Sequence, residues 1–154
     1  MSQIELDYLF KISSQNPPCI VELPGAHKNT YEVNLETREI QSPEFLSVTQ
    51  DHKAEVIYFV LDRFFDYMDL TTTTCIIQYI APDNTPYVYI VPYYDIYTYR
   101  PYNKIVIPWE VDGTATQYKG TLKYSIRFYK IDGSGESAKL VYNLNTLPAE
   151  TKIL

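Results

Sequence analysis

The chain lacks the cationic surface that phosphate binding needs. Its 154 residues carry 13 Lys and Arg against 19 Asp and Glu, a formal net charge of −6. Nucleic-acid recognition draws its affinity from Lys and Arg set against phosphates, and aromatic stacking on single strands still needs a positive groove. Nucleic acid is therefore not an expected partner. The deficit is uneven, with 12 acids and 5 bases up to Cys75 but 7 acids and 8 bases beyond it. An acidic face toward the N-terminal half follows, with a near-neutral half after it.

Long hydrophobic runs are missing too. The longest, EVIYFVL and YVYIVPYY, are too short to span a bilayer, so no membrane partner is expected. The first residues, MSQIELDYLFKI, have neither a basic n-region nor a small-residue cleavage site, which points to synthesis and retention in a cytosol. Cysteine is nearly absent. Cys19 and Cys75 stand far apart, in no CxxC or zinc spacing, each beside apolar strand-like residues (CIVEL, CIIQY). Both are expected as buried free thiols in a reducing compartment. Glycine is scarce at 5 residues while proline reaches 10, so proline punctuates the chain, as in stiff loops between strands.

The motifs of catalysis are also missing. There is no GxSxG, no HExxH, no phosphate-binding glycine loop and no Cys–His pairing. His27 lies in a Pro-Gly loop and His52 in a turn, and neither is assigned to a metal. Glycoside hydrolysis would need two carboxylates across a cleft. Asp62, Asp66 and Asp69 cluster locally, but a solvated turn in which Asp69 hydrogen-bonds the loop explains them better. No catalytic residue, metal ligand or cofactor is assigned, and the chain is not expected to be an enzyme.

What is present is β-structure. Strand-like segments run over Cys19–Leu23, Thr30–Leu35, Phe45–Gln50, Ala54–Leu61, Cys75–Tyr79, Tyr87–Ile96, Lys104–Val111, Gly120–Ile131 and Lys139–Leu144. Breakers separate them: Pro24-Gly25, Asp83-Asn84-Thr85-Pro86, Arg100-Pro101, Asp112-Gly113 and Asp132-Gly133-Ser134-Gly135. The last group reads as a hairpin turn. Helix signals are thin. Ser2 with Glu5 reads as a capping box for one or two N-terminal turns, and Asp62–Leu70 as a short helix or a compact aromatic loop. Thr71–Thr74 suits an extended, wet lead into the CIIQY strand.

These signals predict one all-β domain over residues 1–154, with 1–18 as an N-terminal extension. A two-sheet antiparallel β-sandwich with one or two short helical segments accommodates seven to nine short strands. A jelly roll or a closed barrel satisfies the same counts. Trp109 follows both cysteines, so the antibody-type Cys–Trp–Cys order is absent. Trp109 is expected in the core beside Pro108. Alternation marks Val56, Tyr58 and Val60, and Leu122, Tyr124, Ile126 and Phe128, as core faces.

Aromatics reach 15%, and seven of the sixteen tyrosines fall between Tyr87 and Tyr102. Side chains of a strand alternate between faces. Tyr87 and Tyr89 then share one face, with Val88 and Ile90 opposite. Tyr93, Asp95, Tyr97 and Tyr99 share a face, with Tyr94 and Ile96 opposite. A buried hydroxyl needs a partner, so so many phenols cannot all enter a core. Pro92 cannot donate a ladder bond and marks a bulge, a bend or an edge strand. Three uses fit the stripe: a half-exposed core edge, a protein–protein interface or a sugar-binding platform. Tyrosine brings large contact area with a polar tip, as at interface hot spots. The interface candidates are Tyr87, Tyr89, Tyr93, Tyr94, Tyr97, Tyr99 and Tyr102, with Arg100 as a polar anchor. The apolar Ile153-Leu154 end suggests docking onto a neighbour or a longer natural chain.

Five strings, taken in order, carry a resemblance: AEVIYFVLDR, DLTTTTCIIQYI, NKIVIPWEVD, YKGTLKYSIRFYKID and YNLNTLPAETKIL. Together they resemble the N-terminal immunoglobulin-like domain of tailed-phage structural proteins, of the baseplate upper protein or head- and tail-fibre type. The resemblance spans roughly Ala54 to Leu154, and its motifs are structural. It implies an immunoglobulin-like sandwich in a virion, assembled in the bacterial host cytoplasm. It implies attachment of a fibre or receptor-binding appendage to baseplate or capsid. Other virion structural proteins would be its partners, and trimers or larger rings its assembly form. It also implies that Thr146, Leu147 and Pro148, followed by Ile153 and Leu154, lead out into a stalk. The tyrosine density departs from the type and leaves the docking partner open between capsid, collar and baseplate. A carbohydrate-binding module using the same tyrosines is the alternative.

Overall fold

A computed structural model describes residues 19–20, 30–50, 52, 56–99 and 103–154. The capping box at Ser2, the 1–18 extension, Pro24-Gly25, His27, Arg100, Pro101, Tyr102 and the side chain of Cys19 lie outside the described residues.

Strict alternation in GTLKYSIRFYKID produces the longest strand, β12 (Gly120–Asp132). Leu122, Tyr124, Ile126 and Phe128 all face the interior and are buried. One edge of β12 pairs antiparallel with β8 (Thr74–Ile80), from Lys123↔Ile80 to Tyr129↔Thr74. The other edge takes β14 (Ala149–Ile153) along its first half and β13 (Lys139–Asn145) along its second. β4 (Phe45–Ser47) and β9 (Pro86–Ile90) complete the sheet in the order β4-β14-β12-β8-β9.

The facing sheet has the order β1 (Cys19–Ile20), β10 (Tyr97–Tyr99), β11 (Lys104–Glu110), β5 (Val56–Asp62), β2 (Thr30–Asn34), β3 (Glu39–Ile40). A small hairpin, β6 (Phe64–Phe65) with β7 (Met68–Asp69), stands apart. The molecule is thus an all-β sandwich of two sheets. It is not purely antiparallel: β1–β10, β2–β5 and β4–β14 pair in parallel. Each parallel pair joins strands far apart in the chain, which hairpin turns cannot do.

Aromatic rings bridge the layers. Trp109 of β11 meets Tyr79 of β8 at 5.5 Å and Tyr124 of β12 at 5.4 Å, centroid to centroid. Phe59 of β5 reaches Tyr124 at 5.9 Å. Trp109 therefore sits in the core as expected. Both phenols find polar partners at the rim. Tyr124 Oη donates to Ser42 Oγ at 2.8 Å, and Ser42 Oγ in turn donates to the Glu150 carbonyl at 2.9 Å. Tyr79 Oη shares a hydrogen bond with Thr114 Oγ1. Thr114 lies in a one-turn helix, Gly113–Thr116, capped by Asp112 Oδ1, which accepts the Thr114 N–H at 3.0 Å. Cys75 is buried and free, and burial pushes its thiol up, away from reactivity.

Three expectations need correction. The core face of β5 is Ile57, Phe59 and Leu61, whereas Val60 belongs to a small cluster on the opposite side of the sheet. β5 is apolar on both faces, so a period of two cannot choose between them. Asp62–Leu70 forms neither helix nor plain loop but the β6–β7 hairpin. Its two-residue turn, Asp66 (φ 50°) and Tyr67 (φ 66°), takes the left-handed conformation that primed hairpin turns require. Thr71 and Thr72 lie in a 3-10 turn, Leu70–Thr72, and Thr73 is buried with its hydroxyl on the Leu70 carbonyl at 2.7 Å. Thr146-Leu147-Pro148 forms the connection between β13 and β14. Thr146 is buried and accepts the Ile126 N–H at 2.9 Å, after which the chain returns as β14. Ile153 is 2% exposed in its own core, and Leu154 is half exposed. The Asp132–Gly135 hairpin is present, though its connection runs to Ala138 through a 3-10 turn.

Ile153→Ala should lower unfolding free energy by about 2–5 kcal/mol in urea titrations. No change would detach β14 from the core. A second outcome concerns pH. Burial, ahead of local charges and hydrogen bonds, pushes Tyr79 and Tyr124 up to about 12. The fold prefers their neutral form. The stability they contribute is intact below the ordinary tyrosine value of about 10 and lost as pH rises from there towards about 12. Tyrosinate absorbance should show late-titrating phenols, and the latest part of that titration should shrink in Tyr79→Phe.

Candidate interaction surface

The tyrosine run divides among three environments. β9 carries Tyr87 and Tyr89 inward, half-buried against the core, and turns Val88 and Ile90 to solvent. Tyr87 stacks on Tyr79 at 5.5 Å, and Tyr89 bonds the Glu110 backbone across the sandwich. Burial raises the Tyr89 phenol first of all, and that backbone bond only partly offsets it. Pro92 (φ −59°) then caps a 3-10 turn, Tyr93–Asp95, which carries the chain from one sheet to the other. The alternation predicted across Tyr93, Asp95, Tyr97 and Tyr99 fails at this turn. Tyr93 is 63% exposed and meets Tyr94 edge-on at 5.4 Å.

Tyr97 is 6% exposed, packed with Val60 and Val106 on the side of its sheet away from the main core. Tyr99 and Tyr58 flank that cluster. β10 is not an edge, because β1 and β11 pair with it on either side. Of the eight residues proposed from sequence, Tyr87 and Tyr89 line the inner side of an edge strand and Tyr93 projects beside it. Tyr94 and Tyr99 are partly buried and Tyr97 is enclosed. Arg100 and Tyr102 lie outside the described residues.

The edge itself is made of Val88 and Ile90, which the sequence places opposite Tyr87 and Tyr89. Among the described residues β9 ends its sheet and pairs only with β8. The Val91 N–H donates to the Cys75 carbonyl at 3.0 Å, toward β8. Backbone groups alternate along a strand, so Tyr89 and Tyr87 point the same way. Pro86, Val88 and Ile90 therefore present theirs outward. Val88 is 56% and Ile90 64% exposed. Between Thr85 and Tyr94 no residue carries a charge. That absence was legible and is the signal that would have found the edge.

Other surfaces differ in character. The β6–β7 tip projects a fully exposed Tyr67, with Phe64 beside it. Asp69 anchors this hairpin. It accepts from Arg63 through Nε at 3.1 Å and Nη2 at 2.9 Å, and from the Thr71 N–H at 3.0 Å. The β12–β13 hairpin exposes Ile131, Leu140 and Val141 at its distal end. On the opposite sheet, a cleft of about 560 Å³ is lined by Glu32, Glu36, Glu39 and Asp62, with Lys104 bonded to Asp62 at 2.6 Å. This is part of the acidic face expected from the N-terminal half. Among the described residues no group of His, Cys, Asp and Glu could hold a metal ion. His52 Nδ1 accepts the Gly113 N–H at 2.8 Å. No helix among them is long and apolar enough to cross a membrane.

Burial alone would raise the Asp69 carboxyl, but the bonds from Arg63 and Thr71 outweigh it and hold the group below its ordinary value of 3.8. Its stabilisation is therefore present above that value and lost as pH falls through the lower, folded one. Asp69→Asn should cost about 1–3 kcal/mol at neutral pH. It should also flatten the acid limb of stability, which urea titration at neutral and acid pH would read. No family model matches the chain, and no curated protein or solved structure matches it either.

Proposed function

We propose that the chain is a non-catalytic assembly domain of a tailed-phage virion, attaching a fibre or receptor-binding appendage to the tail baseplate or capsid. The observation that carries an assembly role is the uncharged edge of β9, unpaired among the described residues and flanked by exposed Tyr93. An exposed apolar edge strand is a template for pairing with another chain. The virion setting rests on the sequence resemblance. Its partners in this reading are other virion structural proteins and further copies of the chain. Assembly proceeds by surface burial, and a specific interface of standard size buries about 1,600 Å² in total.

A sugar platform needs several phenols on one open face. Of the run's described tyrosines, Tyr93 alone is mostly exposed, while Tyr87 and Tyr89 are turned inward. This weighs against the carbohydrate alternative. The reading is tested on purified particles of a phage carrying this gene. Mass spectrometry should find the chain in the particle, and gold-labelled antibody should mark one structural location. Absence from purified particles would refute the virion role. Glycan-array binding abolished by Tyr93→Ala would favour the sugar module instead.

A further inference from the structure

We propose that two copies of this chain pair antiparallel through β9, joining their β4-β14-β12-β8-β9 sheets into one continuous sheet across a two-fold axis. The inference deepens the assembly reading and rests on it.

The backbone comes first. Pro86 has no N–H, so the outer edge of β9 offers two donors, from Val88 and Ile90. Among the described residues neither takes part in a further strand pairing, since β9 terminates the sheet. Antiparallel pairing of identical strands is self-complementary: what one copy donates, the other accepts. A two-fold axis at Val88 lets the two Val88 residues exchange a pair of bonds. Each Ile90 N–H then meets the other copy's Pro86 carbonyl. An axis at Tyr89 pairs Val88 with Ile90 in both directions. Either register makes four bonds and satisfies both donors of each copy.

Edge protection comes second. Natural edges are blunted by shortness, charge, proline or bulges. Among the described edges, β3 has two residues and β4 three. β13 carries Lys139 and faces a register shift at Lys130/Ile131. β9 has five residues in unbroken register with β8, and its one such device is Pro86 at the first position, which leaves the Val88 and Ile90 donors open.

Charge comes third and favours a second copy as occupant. Each chain carries −6, so copies repel over most of their surface. The run from Thr85 to Tyr94 is where two acidic chains meet without opposing carboxylates, and it offers no charge pattern to steer a heterologous partner. On the outer face Val88 and Ile90 of both copies become contiguous. On the inner face the half-buried Tyr87 and Tyr89 approach those of the partner copy. An edge of this length falls at the low end of specific interfaces, below about 1,200 Å². The dimer is therefore expected at micromolar concentrations and above.

Sedimentation velocity on the whole chain tests this. The mass should rise from monomer to dimer across the micromolar to millimolar range. Ile90→Lys and Val88→Lys should each move that midpoint at least tenfold higher. Circular dichroism should stay unchanged, because both side chains already face solvent. Leu140→Lys, on the distant β12–β13 hairpin, should leave the midpoint in place. A strict monomer at millimolar concentration overturns the proposal, as does a dimer indifferent to both β9 variants. Particle labelling reads the virion role separately. A labelled virion with a monomeric chain sinks only the dimer, and a dimeric chain absent from particles sinks only the virion.

Discussion

The sandwich depends on the contact between Trp109 and the two tyrosines that face it from the other sheet. Neither sheet can bury its inner face alone, and this aromatic group spans the gap between them. Large rings bury more area than any aliphatic, and tilted packing adds roughly 0.5–1.5 kcal/mol per pair beyond burial. The tyrosines also solve a polar problem. Their hydroxyls reach past the core to Ser42 and Thr114, so burial leaves neither oxygen stranded. Through those two bonds the core fixes the segment before β4 and the one-turn helix after β11.

The tyrosine run uses the same property in different places. A phenol is apolar along its ring and polar at its tip, so it tolerates the boundary between core and water. Tyr87 and Tyr89 close the interior at the sheet edge, Tyr97 packs into the small cluster behind β11, and Tyr93 stands in solvent. The aliphatic residues between them occupy the outer face of β9. A surplus of phenols thus indicates an edge without being its contact surface. The Tyr142 hydroxyl is the exception: it is buried with no hydrogen-bond partner among the described residues.

How far the sequence could be read follows from these chemistries. β12 was legible because its inward positions are apolar and its outward ones polar or charged. Pro92 was legible as a break because it cannot donate to a ladder. The facing of β9 was not, since Tyr, Val and Ile all suit either side of a half-buried strand. β5 hid its orientation by being apolar on both faces. The β6–β7 hairpin escaped notice because Asp66-Tyr67 lacks the Asn-Gly or Asp-Gly signature of a primed turn. β14 escaped because AETKI turns Ala149, Thr151 and Ile153 inward, a small and polar-tinged face among charged neighbours. The open edge was half visible, as an uncharged, proline-bounded run. Its outward residues required the register with β8.

The pairing of β4 with β14 has a kinetic consequence. Ser42 and Thr151 Oγ1 each bond backbone carbonyls 108 residues away, at Glu150 and Pro43. During synthesis that side of β12 stays uncovered until β14 emerges from the ribosome. Sheets closed by such distant segments fold on the millisecond-to-second scale rather than in microseconds. A nascent or truncated chain therefore carries a second raw edge, beside an apolar interior, that the finished molecule has removed. Chaperone demand and aggregation should be governed by that interval.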